Sequence, residues 1–136
     1  MKLTLKQKEL ATKRLWQLQE MFTDVDGIVL ASIGGLQLTS TLPNSPSTQR
    51  LTAASTALLL LGEHVLSEWS DDQIEGVWVK VKGSEPPRYA VLYPVGNSAL
   101  LIVIRHIEVT PLPHHAEMEL KDTTRYLQHL LEGDFP

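Results

Sequence analysis

The chain contains no cysteine, which excludes a disulfide, a thiol nucleophile and a thiolate metal site. It has no excess of positive charge either. With a formal net charge of −4 it lacks the basic balance that draws a protein to a phosphate backbone, and no nucleic-acid partner is expected. No segment approaches the ~20 apolar residues of a membrane-spanning helix. The positive segment Met1–Lys8 is not followed by the apolar core of a secretory signal, so cytoplasm is the expected location. The phosphate-cradling pattern G-x-x-x-x-G-K-S/T and the nucleophile elbow G-x-S-x-G are both missing. We therefore expect no catalytic residues, no cofactor and no enzyme activity. His114, His115, Glu117 and Glu119 form a ligand-like cluster. The adjacent histidines follow two prolines, however, and lack the helical spacing of an H-E-x-x-H site, so a solvated linker explains them and no metal is expected.

What the chain does have is a surplus of aliphatic side chains in one stretch. Between Arg50 and Trp69 the residues Leu51, Ala54, Leu58, Leu61 and Val65 recur at the spacing of a core-facing helix. A second stripe, Ala53, Ala57 and Leu60, lies on another side, and Leu58-Leu59-Leu60-Leu61 sweeps across most of the circumference. A helix apolar nearly all round must be buried nearly all round, yet one sheet covers only one face. A second copy of the chain, or another protein, is the natural cover for the rest.

The remaining pattern supplies the sheet. Its 136 residues, 43% hydrophobic and 21% charged, suit one globular domain over 1–136, with its core at about 5–131. Residues 4–22 predict a first helix, with Ala11, Leu15, Leu18 and Phe22 inward and a capping box from Thr4 to Gln7. Gly27–Ser32 and Leu36–Ser40 flank Ile33-Gly34-Gly35, where paired glycines supply the positive φ angles of a tight hairpin. After the loop Leu42–Thr48, Ser47 or Thr48 is the expected N-cap of the long helix. Ile74 through Val81 alternates as a strand: Val77, Val79 and Val81 on one face, Gly76, Trp78 and Lys80 on the other. Arg88–Tyr93 and Ala99–Ile104 predict two more strands. The last of them is continuously apolar, as in a central strand covered on both faces. A final helix is expected from about Glu117 to Leu131, carrying Leu120, Thr124, Leu127 and Leu131. Asp24 and Asp26 bracket a strand and read as turn and cap chemistry rather than paired catalytic carboxylates. His64 and His106 read as surface or packing histidines.

The order helix, hairpin, helix, three-stranded meander, helix predicts an α+β fold: a five-stranded antiparallel sheet between one long helix on one face and two helices on the other. With that order, three local features resemble the Roadblock (dynein-light-chain-type) family, which includes bacterial regulators of gliding-motility GTPases. They are the hairpin Asp24–Ser40, the Ala- and Leu-rich second helix, and Tyr93-Pro94-Val95-Gly96-Asn97-Ser98-Ala99-Leu100-Leu101-Ile102-Val103, which resembles the family's turn into its last strand. Where that family usually has an acidic residue before the glycine of the first turn, this chain has Ile33-Gly34-Gly35.

The resemblance implies a Roadblock/profilin-like sandwich and a homodimer in which the third strand pairs with its symmetry mate while the second helices lie side by side over the junction. In this chain the implied interface is Leu58, Leu61, Val65, Trp69, Ile74, Val77, Trp78, Val79 and Lys80. An edge strand with unpaired amides favours such a contact, although Lys80 and Lys82 are alternatively edge-protecting charges. Trp69 and Trp78 are the expected anchors at the junction, and Trp16 covers the sheet's rim or marks a partner site. The polar margin Arg50, Glu63, His64 and Ser67 is then the candidate surface for another protein. The function implied is a noncatalytic dimeric adaptor that binds a small Ras-like GTPase or a related partner. A GAF- or PAS-like ligand sensor, which needs an internal pocket, and a purely structural dimer are the alternatives. Should such a protein stimulate a GTPase by an arginine finger, Arg14, Arg50, Arg88, Arg105 and Arg125 are the available residues, and no signature singles one out.

Overall fold

The computed structural model describes residues 2–68, 76–81, 88–106 and 114–133. Helix α1 (Leu5–Glu20) opens on the expected capping box: the Thr4 hydroxyl accepts from the Gln7 amide at 3.1 Å, and the Gln7 side chain accepts from the Thr4 amide at 2.9 Å. Its residues Ala11, Leu15 and Leu18 are buried, and Phe22, just past its end, packs on the same cluster. Strands β1 (Val25–Ser32) and β2 (Gln37–Ser40) form the hairpin. Its turn is closed by the Ser32 amide on the Leu36 carbonyl at 2.8 Å and by the Gly35 amide on the Ser32 carbonyl at 3.0 Å. Of the paired glycines only Gly35 takes a positive φ, +90°, so Gly34 is not needed for its conformational freedom.

Helix α2 (Pro46–Ser67) begins earlier than expected. Ser45, not Ser47 or Thr48, is the N-cap, its hydroxyl accepting from the Thr48 amide at 3.2 Å. The cause is Pro46: its fixed φ and missing N–H suit the first helical position, so it opens the helix rather than extending the loop. Strands β3 (Val77–Val81), β4 (Arg88–Val95) and β5 (Ala99–Arg105) follow as the expected meander. The expected start of β3 at Ile74, and the turn Gly83–Pro87, lie outside the described residues. Helix α3 runs over His114–Leu131, three residues earlier than expected. The reading of His114 and His115 as linker residues is thereby corrected: they form its first turn.

The sheet order is β2-β1-β5-β4-β3, with every neighbouring pair antiparallel. Strand β5 lies in the middle, and its continuous apolar run is explained by two covered faces. Ala99, Leu101 and Val103 join a core with α1 and α3, whereas Leu100 and Ile102 join a second core with Leu59 of α2. The buried apolar residues of α3 are Ala116, Leu120, Leu127 and Leu130, so the inward stripe is rotated slightly from the one expected, and Thr124 and Leu131 fall on its flank. Two layers of helix thus enclose one sheet, α1 and α3 on one side and α2 on the other.

Candidate interaction surface

Helix α2 packs on the sheet with the opposite face from the one its aliphatic periodicity suggests. Its buried residues are Thr48, Thr52, Ser55, Thr56 and Leu59. The stripe read as core-facing points outward: Leu58, Leu61 and Val65 are exposed, the last two by 58% each, and Ala54 is exposed as well. The second stripe, Ala53, Ala57 and Leu60, is also exposed, and so is Leu66. The inward hydroxyls are accommodated because the helix bonds them itself: Thr52 Oγ1 donates to the Thr48 carbonyl at 2.8 Å and Thr56 Oγ1 to the Thr52 carbonyl at 3.0 Å. Side chains this small let the helix lie close to the sheet, with only Leu59 filling the space over Val29, Ala31, Leu92, Leu100 and Ile102. A helical period fixes the spacing of a stripe but not whether the chain's own core or another surface receives it.

Beside this helix, β3 forms one edge of the described sheet, and Val77 packs into the α2-side core. Val77 and Val79 are half-buried, and Trp78, opposite Val91 on the other face of the sheet, is 43% exposed. Lys80 pairs with Tyr89. Trp69 and Ile74, also expected at the junction, lie outside the described residues. Arg50, Glu63, His64 and Ser67 are all exposed on α2, but the structure does not unite them. Ser67 Oγ donates to the His64 carbonyl at 2.7 Å, whereas Arg50 lies thirteen residues before Glu63, about 20 Å along the helix, where its Nη2 donates to Ser47 Oγ at 3.3 Å.

On the other side of the sheet lies a buried ion pair for which the sequence carries no local signal. Asp24, read as turn chemistry, receives Arg105 Nε at 2.7 Å and Nη2 at 2.5 Å on Oδ2, and both residues are buried. The guanidinium also lies over the Phe22 ring, 5.9 Å from its centre. The partners are 81 residues apart, so only the β1–β5 pairing brings them together. Asp26 Oδ1 meets His106 Nδ1 at 2.9 Å just outside. Nearby, burial pushes the Tyr93 phenol up to about 12, opposed by Arg105 and reinforced by Glu117. Arg105 is consequently committed inside the fold. Arg14 is held as well, with its Nε on Thr123 Oγ1 at 3.3 Å and its guanidinium 5.4 Å from the Tyr126 ring centre. The cavity lined by Phe22, Ile28, Tyr93, Arg105 and Leu120 measures about 10 Å³, room for one water at most.

No family model matches the sequence, and no curated protein matches it. Solved structures do. A structure described as MglB with tetrameric arrangement superposes with a TM-score of 0.79 at 13% identity, covering 99% of this chain and 97% of that one. The fold is that of a Roadblock/LC7 domain. The gliding protein MglB from Thermus thermophilus aligns over 98% of this chain and 96% of its own at TM-score 0.77 and 13% identity. A Roadblock/LC7 domain from Streptomyces avermitilis covers 89% of this chain and 97% of its own at TM-score 0.76 and 16% identity. The Roadblock resemblance of the sequence is thus matched by the course of the whole described chain.

Proposed function

We propose that this protein is a noncatalytic Roadblock-type adaptor that works as a homodimer, binds a small Ras-like GTPase or a related partner, and modulates that partner's nucleotide cycle. The observation that carries this reading is the outward face of α2. Leu58, Leu61 and Val65, with Ala54 and Ala57 one turn before Leu58 and Leu61, make a continuous aliphatic ridge on the side away from the sheet. Ridges of this kind mark contact surfaces. The β3 edge offers the main-chain half of the same contact: pairing two β3 strands would extend the sheet across two chains and set the two α2 helices side by side. The tetrameric arrangement of an MglB structure shows that a protein of this fold assembles with itself. The water-sized cavity beneath Leu120 gives no support to a ligand sensor.

Mass measurement in solution tests the dimer. We expect twice the chain mass for the wild type and a single chain mass for Leu61→Glu and for Trp78→Glu. A monomeric wild type overturns the dimer. Pull-down with candidate small GTPases in their GDP and GTP states tests the partner, and the reading fails if none is retained in either state.

A further inference from the structure

The outward face of α1 carries a charge that the fold does not use. Lys2, just before the helix, and Lys6, Lys8 and Lys13 on it are all exposed, and the acids of α1 are Glu9 and, at its last residue, Glu20, in a chain whose net charge is −4. Among the described residues none of these lysines forms an ion pair. On the adjacent α3 the exposed charges are paired within the helix instead, Lys121 with Glu117 at 3.5 Å and Arg125 with Asp122 at 4.0 Å. Helix stability does not account for the lysines either. The first turn of α1 contains no acidic residue, and cations there oppose the positive end of the helix dipole.

Two apolar side chains share that face. Leu5 is 76% exposed and Trp16 is 45% exposed, about 16 Å apart along the helix. At about 100° per residue, Lys6 falls roughly 95° and Lys13 roughly 65° to one side of the line joining them, Lys8 roughly 65° to the other, and the exposed Glu9 roughly 30° from it. The surface is convex, with two apolar side chains flanked by three long cationic ones against a single glutamate between them. An indole and lysines whose stems lie along an apolar boundary with their ammonium groups in the headgroup layer are the features of a helix lying flat on a membrane. Among the described residues no helix is long and apolar enough to cross one. We propose that α1 docks this protein, along its Leu5–Trp16 line, on an anionic lipid surface. Docking this way leaves the aliphatic ridge of α2 pointing away from the bilayer, because the two helices cover opposite faces of the sheet.

Sedimentation of the full chain with vesicles tests this. We expect the protein to pellet with phosphatidylcholine vesicles containing phosphatidylserine, to remain in solution with phosphatidylcholine alone, and to be released by salt. The variant carrying Lys6→Glu, Lys8→Glu and Lys13→Glu is expected to partition about tenfold less or weaker still. Because the first two changes place acids in the first turn, its thermal midpoint should not fall, which separates lost binding from lost folding. Trp16→Phe should abolish a vesicle-induced blue shift of the tryptophan emission. The proposal is overturned if the protein ignores both vesicles, if it pellets equally with both, or if the triple variant pellets like wild type. Retention of the wild type on immobilised polyglutamate without vesicle binding would assign the face to an acidic protein instead.

Discussion

Helices α2 and α3 cover opposite faces of one sheet and solve the same packing problem in opposite ways. Helix α3 buries Leu120, Leu127 and Leu130 and turns Lys121, Asp122 and Arg125 to solvent. Helix α2 buries four hydroxyl residues and Leu59 and turns Leu58, Leu60, Leu61, Val65 and Leu66 outward. The amphipathy of α3 is satisfied within the chain. That of α2 is not: each of its outward aliphatics would contribute roughly 1.5–3 kcal/mol on full burial, and with 39–58% of each still exposed about half of that is unrealised in the single chain. One helix is therefore amphipathic toward its own core, and the other keeps an aliphatic face that its own core does not use.

The contrast is broken most severely on the α1–α3 side, at Asp24. Asp24→Ala leaves Arg105 buried without its counter-charge and should cost about 3–5 kcal/mol in urea denaturation. Close behind comes a matched pair of truncations. Leu127→Ala removes a fully buried side chain from α3 and should cost about 2–5 kcal/mol. Leu61→Ala on α2, measured dilute enough to hold single chains, should stay within about 0.5 kcal/mol of wild type. Equal losses at the two positions would mean that the α2 ridge is packed inside the chain. A smaller effect sharpens the account of the inward side. Thr52 is fully buried against the sheet, and Thr52→Leu adds volume where the helix lies close, so we expect a loss of about 1–3 kcal/mol.

These variants also mark what could be read from sequence. The Thr4 capping box, the inward stripe of α1 and the central position of β5 are all legible, because each rests on a local pattern with a single physical solution. The α2 periodicity is legible too, but it has two solutions. Threonines and serines at one phase and leucines at the other both make a consistent face, and the hydroxyls become acceptable inside only once they bond the preceding turn of their own helix. The helix start is hidden by Pro46, which serves a loop and a first turn equally well. The Asp24–Arg105 pair is invisible for a different reason. Nothing near either residue announces it, and the register that joins Val25 to Arg105 is a tertiary fact.

The smallest predicted effect concerns Tyr93, which packs on the α1–α3 core. Its phenol titrates near 10 in the unfolded chain and is pushed up to about 12 in the folded one, chiefly by burial. Below about pH 10 both states keep the proton, so the contribution is fully present there. Between about pH 10 and 12 the unfolded chain releases a proton that the folded chain retains. The unfolded state then binds fewer protons, and stability falls as pH rises, until the folded phenol ionises as well. Tyr93→Phe has no such proton. Denaturation midpoints taken just below pH 10 and again above it should therefore drop further in wild type than in the variant. If the two proteins lose stability in parallel across that window, the phenol is no better shielded in the fold than in the unfolded chain, and the α1–α3 layer does not close over Tyr93 as the structure has it.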